Sequence, residues 1–301
     1  MAIGRLSLIL ALATFAPMSP ASAGWREDLG VFRVGIVLPA ASAPQLEGAE
    51  RIRAGFANAL EMPVELFTAR DYAVLADAQA SGRIQYAIHT ATSYASAWLL
   101  CSCVEPLVAP VAEDGSTGIR SVLIARPDGP PTPEAAISAK VAIGPADSVA
   151  GRLIPLAEFR PGGAALSGAE TFLAPASSDT EAEASLESGA VAAMFGFTRS
   201  NAEGTALGGT PERLSSAGLQ GTKVIWTSNL LRNGPHAVRS NLPAEAKAAL
   251  KSFLTGMRAS DPELYDLIER RFSGGFVAVG QDDYASAVDL VRKASRPLDE
   301  E

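Results

Sequence analysis

Short apolar runs alternate with amphipathic stretches along nearly the whole chain, and that alternation restricts it to an α/β fold. Residues 31–38 read as a strand, and in 47–60 Ala49, Ile52, Phe56 and Ala59 recur at helical spacing. A strand at 64–67, a helix at 71–80 capped by Asp71, a strand at 84–88 and a helix at 92–99 continue the pattern. Strands at 104–110 and 121–125 follow, and then the run Arg126-Pro127-Asp128-Gly129-Pro130-Pro131-Thr132-Pro133 breaks every regular pattern. We place the crossover to a second domain there, with strands at 140–143, 171–173, 191–195 and 223–226 and helices at 148–156 and 180–188. A second cluster of breakers, from Thr227 to Pro235, returns the chain to the first domain, where helices at 243–257, 261–272 and 282–292 complete it. The expected organisation is a leader at 1–23, a first lobe at 24–126, a second lobe at 127–226 and a return segment at 227–301. Two crossings between lobes make a hinge.

The leader reads as an export signal: Arg5 is followed by an apolar stretch at 6–15 and by Ala21-Ser22-Ala23 ahead of Gly24. That stretch is shorter than the ~20 apolar residues of a spanning helix. A soluble, exported product in the periplasm is therefore expected. Removing the leader leaves more chain than one hydrophobic core usually holds, which favours two domains. The formal charge of −8 carries no basic runs, which argues against a nucleic-acid surface and a polybasic membrane patch, leaving a small solute or a protein partner. The two cysteines, Cys101 and Cys103, are separated by one serine. A bridge there closes almost no loop, so two small buried residues at a helix-to-strand junction is the favoured reading.

Catalysis is poorly supplied. The only histidines, His89 and His236, lie near no cysteine, GxSxG elbow or HExxH pattern, and we read both as structural. No cofactor loop and no metal-ligand spacing is present in the sequence. What recurs is a strand that ends in hydroxyl residues and leads straight into a helix. It occurs first at His89-Thr90-Ala91-Thr92-Ser93-Tyr94 and again at Gly144-Pro145-Ala146-Asp147-Ser148-Val149-Ala150-Gly151. Free N–H groups at a helix start, added to the helix dipole, suit an anion, and in α/β sheets such ends face the binding crevice. Ser and Thr are also ordinary helix caps, so one copy alone means little; the pair, one in each expected lobe, points to a clamp.

A distributed set of segments resembles the phosphate, phosphite and phosphonate-binding proteins of ABC importers. It comprises Asp71-Tyr72-Ala73, Ser81-Gly82-Arg83, Thr92-Ser93-Tyr94 with Ala97, Val104-Glu105-Pro106-Leu107 and Arg120-Ser121-Val122. Further along come Asp147-Ser148 with Gly151 and Pro155, Glu187-Ser188-Gly189-Ala190-Val191, Asn241-Leu242-Pro243, Gly274-Gly275-Phe276 and Asp282-Asp283-Tyr284. The resemblance implies the type II periplasmic-binding fold, two α/β lobes joined by a two-segment hinge with a ligand cleft between them. Of the family's ligand residues, Tyr94 and Ser148 match; the expected ligand set is Thr92, Ser93 and Tyr94 from the first lobe, and Ser148, the backbone of Val149 and Ala150, and Asp179 from the second. In the family, a Ser-Thr-Ser-Gly segment grips the phosphonate oxygens, aided by a His ten residues before a Gly. Here the segment reads Ser148-Val149-Ala150-Gly151, and the histidine position holds Asp179. Thr90-Ala91 replaces the family's Gly-Pro, and Gln85 its strand Asp.

The expected function is capture of a small polar or anionic solute by lobe closure and its delivery to the membrane permease of an ABC importer, by a monomer with no cofactor and no catalytic step. A sensor presenting its solute to a membrane receptor is the alternative, and an exported hydrolase the third. The changed residues leave three solutes open: a weaker anion, a neutral polar molecule, or one whose cationic part meets Asp179. The favoured reading of Asp179, ahead of charge recognition, is as the cap of the helix expected from Thr180.

Overall fold

The computed structural model describes residues 24–38 and 47–295; the expected leader lies outside them. In chain order its strands are β1 (Phe32–Val37), β2 (Val64–Ala69), β3 (Tyr86–Ile88), β4 (Val104–Pro110), β5 (Gly118–Ala125), β6 (Val141–Ile143), β7 (Leu173–Pro175), β8 (Ala193–Ser200), β9 (Ala206–Gly209), β10 (Lys223–Thr227), β11 (Leu231–Arg232), β12 (His236–Arg239) and β13 (Phe276–Ala278). The α-helices are α1 (Trp25–Leu29), α2 (Ala49–Leu60), α3 (Tyr72–Ala80), α4 (Ala91–Cys101), α5 (Pro133–Ala136), α6 (Ile154–Glu158), α7 (Asp179–Glu187), α8 (Thr210–Ser216), α9 (Ala244–Ser260), α10 (Pro262–Ile268) and α11 (Ala285–Ala294).

The strands make two sheets. The first runs β13-β4-β12-β3-β1-β2, with β1 parallel to β2 and β3, and with β12 and β13 antiparallel to their neighbours. The second runs β10-β5-β8-β6-β7, with β6 parallel to β7 and β8, and with β11 on β5 and β9 on β8. Periodicity explains why helices cover them. Ile52, Phe56 and Leu60 of α2 recur every four residues and are fully buried, as are Ala246, Leu250, Leu254 and Met257 of α9. Both stripes meet Phe32 and Val34 of β1 and Val238 of β12 in one core. Asp71 caps α3 as expected, accepting from the Val74 N–H at 2.8 Å.

The crossings between sheets lie at 111–117, between β4 and β5, and at 233–235, between β11 and β12. The second falls inside the expected breaker cluster. The first does not: β5, expected in the first lobe, is an inner strand of the second sheet, paired with β8 along all eight of its residues. The Pro-rich run instead turns β5 into α5, with Pro133 in that helix's first turn, where a missing N–H costs nothing. Prolines marked a sharp reversal, whereas the true crossing is a short segment turned by Gly115 at φ 84°. Asn233 laces the two crossings, its N–H donating to Thr117 O at 2.8 Å and its side-chain amide to Pro110 O at 2.9 Å. Beside it Gly234 passes so close to the first sheet that a Cβ would lie 2.0 Å from His89 O.

Behind the crossings α11 reaches from the first lobe to the second. Val288 and Leu290 join Ile154 and Ala157 of α6 in one buried cluster, and Lys293 Nζ donates to Ala157 O at 2.8 Å. Cys101 and Cys103 are joined in a disulfide, Cα atoms 5.0 Å apart, and are half-buried, against the favoured reading of two small buried residues without a bridge. They do sit at a helix-to-strand junction. Ser102 between them ends α4 in the left-handed region at φ 48°, and that turn brings the two Cβ atoms to one side.

Candidate functional site between the lobes

Two hollows open between the sheets and share Ile119, Val149 and Phe197. The larger, about 920 Å³, is walled by the C-terminal ends of β1 and β3, by His89 to Thr92, by Arg232 of β11 and by the crossing residues Asn233 and Gly234. The smaller, about 550 Å³, lies wholly in the second lobe, at the C-terminal ends of β6 and β7. Both therefore occupy the crevice outside the carboxyl ends of parallel strands, where α/β sheets bind ligands.

On the first-lobe wall, Thr90 caps α4. Its Oγ1 accepts from the Ser93 N–H at 3.0 Å and lies 3.2 Å from Thr92 Oγ1. The N–H groups of Ala91 and Thr92, at the first two helical positions, have no intrahelical acceptor. Both residues line the cleft. Ser93 and Tyr94 do not line it, which corrects the expected ligand set. Ser93 Oγ turns inward to His89 Nδ1 at 2.6 Å, while Tyr94 has no exposed surface. The Tyr94 hydroxyl meets Gln281 and the Val104 carbonyl, and its ring stands 5.0 Å from that of Tyr284. Geometry explains the exclusion: two residues along a helix turn the side chain by about 200°, so if Thr92 faces the cleft Tyr94 faces the core.

His89, at the inner edge of this wall, is almost wholly buried. Its Nε2 lies 2.7 Å from Gln79 Oε1, and the Gln79 amide donates to Ala237 O at 2.9 Å. Gln79 Oε1 can only accept, so Nε2 carries the proton and Nδ1 accepts from Ser93. Burial pushes the His89 imidazole down to about 3, and His236, buried in the first sheet, likewise to about 3.

The second-lobe wall is built around Ser148 and Asp179. Ser148 caps a π-helical turn, Val149–Leu153, accepting from the Gly151 N–H at 3.1 Å, and its hydroxyl donates to Asp179 Oδ1 at 2.8 Å. Gly144 and Gly151 make room for this pair, because a Cβ on either would lie 2.9 Å from Asp179 Oδ1. Asp179 is not the cap of α7. Ser178 is, its Oγ accepting from the Glu181 N–H at 3.0 Å, and Asp179 is the first helical residue, free to turn into the cleft. Ser148, Val149, Ala150 and Asp179 thus share one hollow with Asp147, which the sequence placed in the same segment, and with Ser177 and Ser178, which it did not single out. The run Ser177-Ser178-Asp179 after a short strand was the available signal.

Among the described residues no Lys, Arg or His lines the smaller hollow. In the larger one, Arg199 is tied to Asp114 at 2.8 Å, Arg232 to Asp283 at 2.7 Å and Arg270 to Glu47 at 3.1 Å. For an anion in the second lobe the balance is close: each hydrogen bond to a charged group contributes about 1.5–3 kcal/mol, while a like charge about 4 Å away costs about 4 kcal/mol at an effective dielectric near 20. Among the described residues no group of three or more His, Cys, Asp or Glu is placed to hold a metal ion.

A sequence profile of a single family matches residues 36–284, which include every residue of both walls. It describes the periplasmic phosphonate substrate-binding protein of ABC transporters. The chain belongs to that family. As a member it is a solute-binding protein of ABC import. Among solved structures it is similar to XAC2383 from Xanthomonas citri bound to ATP, at 17% identity and TM-score 0.57, covering 89% of this chain and 100% of that one. The same protein bound to chloride ion matches at 16% identity and TM-score 0.56, covering 88% and 99%. These likenesses carry the two-lobed type II fold. The phosphonate-transporter binding protein PA3383 from Pseudomonas aeruginosa is also similar, at 21% identity and TM-score 0.44 over 84% and 83% of the two chains. No curated protein sequence matches the chain. Among the described residues no helix is long and apolar enough to cross a membrane.

Proposed function

We propose that the protein works in the periplasm as the capture component of an ABC importer, holding a small polar solute between its lobes and delivering it to the membrane permease. The observation that carries this reading is the meeting of the two hollows at Ile119, Val149 and Phe197, which puts the start of α4 and the π-helical turn on adjoining parts of one open cleft. Only a ligand that touches both walls favours the closed arrangement over the open one, because an equilibrium shifts by differential affinity alone. The solute supplies that difference when its polar groups reach the Ala91 and Thr92 amides on one side and the Ser148–Asp179 pair on the other. No covalent step enters.

A thermal-shift screen of the purified protein against phosphonates, sulfonates, phosphate, amino acids and small amines tests this. A ligand of the folded state at 100 times its Kd stabilises by about 2.7 kcal/mol, so a true solute raises the unfolding midpoint in proportion to the logarithm of its concentration. A screen in which no small polar solute raises the midpoint contradicts the proposal.

A further inference from the structure

We infer that the solute carries a protonated amine as well as an anionic group, and that Asp179 is the residue that selects it. The inference rests on the cleft being the solute site. Three observations lead there. First, the Ser148 hydroxyl has nothing left to give an anion: its proton goes to Asp179 at 2.8 Å and its lone pair receives the Gly151 N–H. Second, Asp179 and Asp147 line the second-lobe hollow, and neither has a salt-bridge partner among the described residues. Third, among the described residues the cleft carries no surplus of positive charge, since three of the four arginines that line it are paired with carboxylates.

An oxyanion in the second lobe is therefore left with the backbone N–H groups of Val149 and Ala150, and Asp179 repels it by about as much as those groups attract. An ammonium on the same molecule reverses the sign of that term. The anionic end then sits between the starts of α4 and the π-helical turn, and the ammonium donates to the Asp179 oxygen that Ser148 does not occupy, with Asp147 at the same hollow. The anion can be a phosphonate, a sulfonate or a carboxylate; the shared requirement is the amine. Gly144 and Gly151 fit this arrangement, because they hold the carboxylate where a side chain would displace it.

The test is calorimetric titration of the mature protein with matched pairs that differ only in the amine: 2-aminoethylphosphonate against ethylphosphonate, taurine against ethanesulfonate, and β-alanine against propionate. The three anions separate the sources of the negative charge. In at least one pair the amino compound is expected to bind tenfold or more tightly than its partner, and Asp179→Asn is expected to erase most of that ratio. Asp179 is exposed and leaves the core untouched, so this variant keeps its fold, which its unfolding midpoint checks. If an amine-free member binds as well as its amino counterpart, or if Asp179→Asn leaves the ratio unchanged, the inference fails while the solute-binding reading stands. If none of the six binds either form of the protein, the inference is overturned; binding then confined to other solutes of the thermal screen preserves the solute-binding reading, and no binding there overturns that as well.

Discussion

At Gly151 and Gly144 the absence of a side chain is a positional requirement, because both face Asp179 Oδ1 and the Ser148 side chain. Gly151→Ala is expected to push the Ser148–Asp179 pair apart, lowering solute affinity tenfold or more at a stability cost of about 1–3 kcal/mol. Unchanged affinity in titrations of that variant would mean the pair is not on the solute. Tyr94 predicts the opposite pattern. Tyr94→Phe keeps the ring against Tyr284 but loses the hydroxyl's bonds, costing about 1 kcal/mol in denaturant unfolding with no effect on solute affinity. The two histidines set the pH response. Folded, both imidazoles are held near 3 by burial, against about 6.5 in the unfolded chain. Between those values the unfolded chain binds protons that the folded chain refuses. Stability is therefore fully present above pH ~6.5 and falls as pH drops toward ~3, by about 1.4 kcal/mol per pH unit for each histidine. Imidazole signals that titrate near the ordinary value in NMR spectra of the folded protein contradict this.

Among the elements, the parallel units of both sheets were legible because each strand and its following helix carry their own periodicity, as β1 with α2 and β6 with the turn after it show. β12 was not legible. His236-Ala237-Val238-Arg239 is four residues behind a cluster of breakers, and it is a strand only because β3 and β4 flank it on both sides. β5 was read as a strand but given to the wrong lobe, since pairing with β8 is a long-range fact that local pattern does not hold. In the site, the hydroxyl-rich helix starts were visible as sequence, and Thr92, Ser148, Val149, Ala150 and Asp179 do line the cleft. Ser93 and Tyr94 were misplaced because a motif gives residue order and not the direction in which a helix turns each side chain. The disulfide at the end of α4 belongs to this scale too. It closes a loop of only three residues, so Cys103→Ser is expected to lower unfolding free energy by about 1–2 kcal/mol, much less than a long-range bridge. Denaturant unfolding of that variant, with the wild type as reference, measures it.

For the whole molecule, the two sheets, their short crossings and the cleft form one device. Asn233 ties the crossings together and lies on the cleft wall, and α11 holds the second lobe from behind through Ile154 and Ala157. Asn233→Ala is expected to cost about 1 kcal/mol of stability for the lost hydrogen bond and to change solute affinity without touching either polar wall, which titration of that variant reads. The central claim is that a single solute is gripped by both lobes at once. Hydrogen–deuterium exchange with and without the solute that most raises the unfolding midpoint in the thermal screen tests it most directly. The account predicts added protection on both walls, in the backbone at 90–93 of the first lobe and at 148–151 and 177–179 of the second. Protection confined to one lobe, or none at either wall, would contradict it.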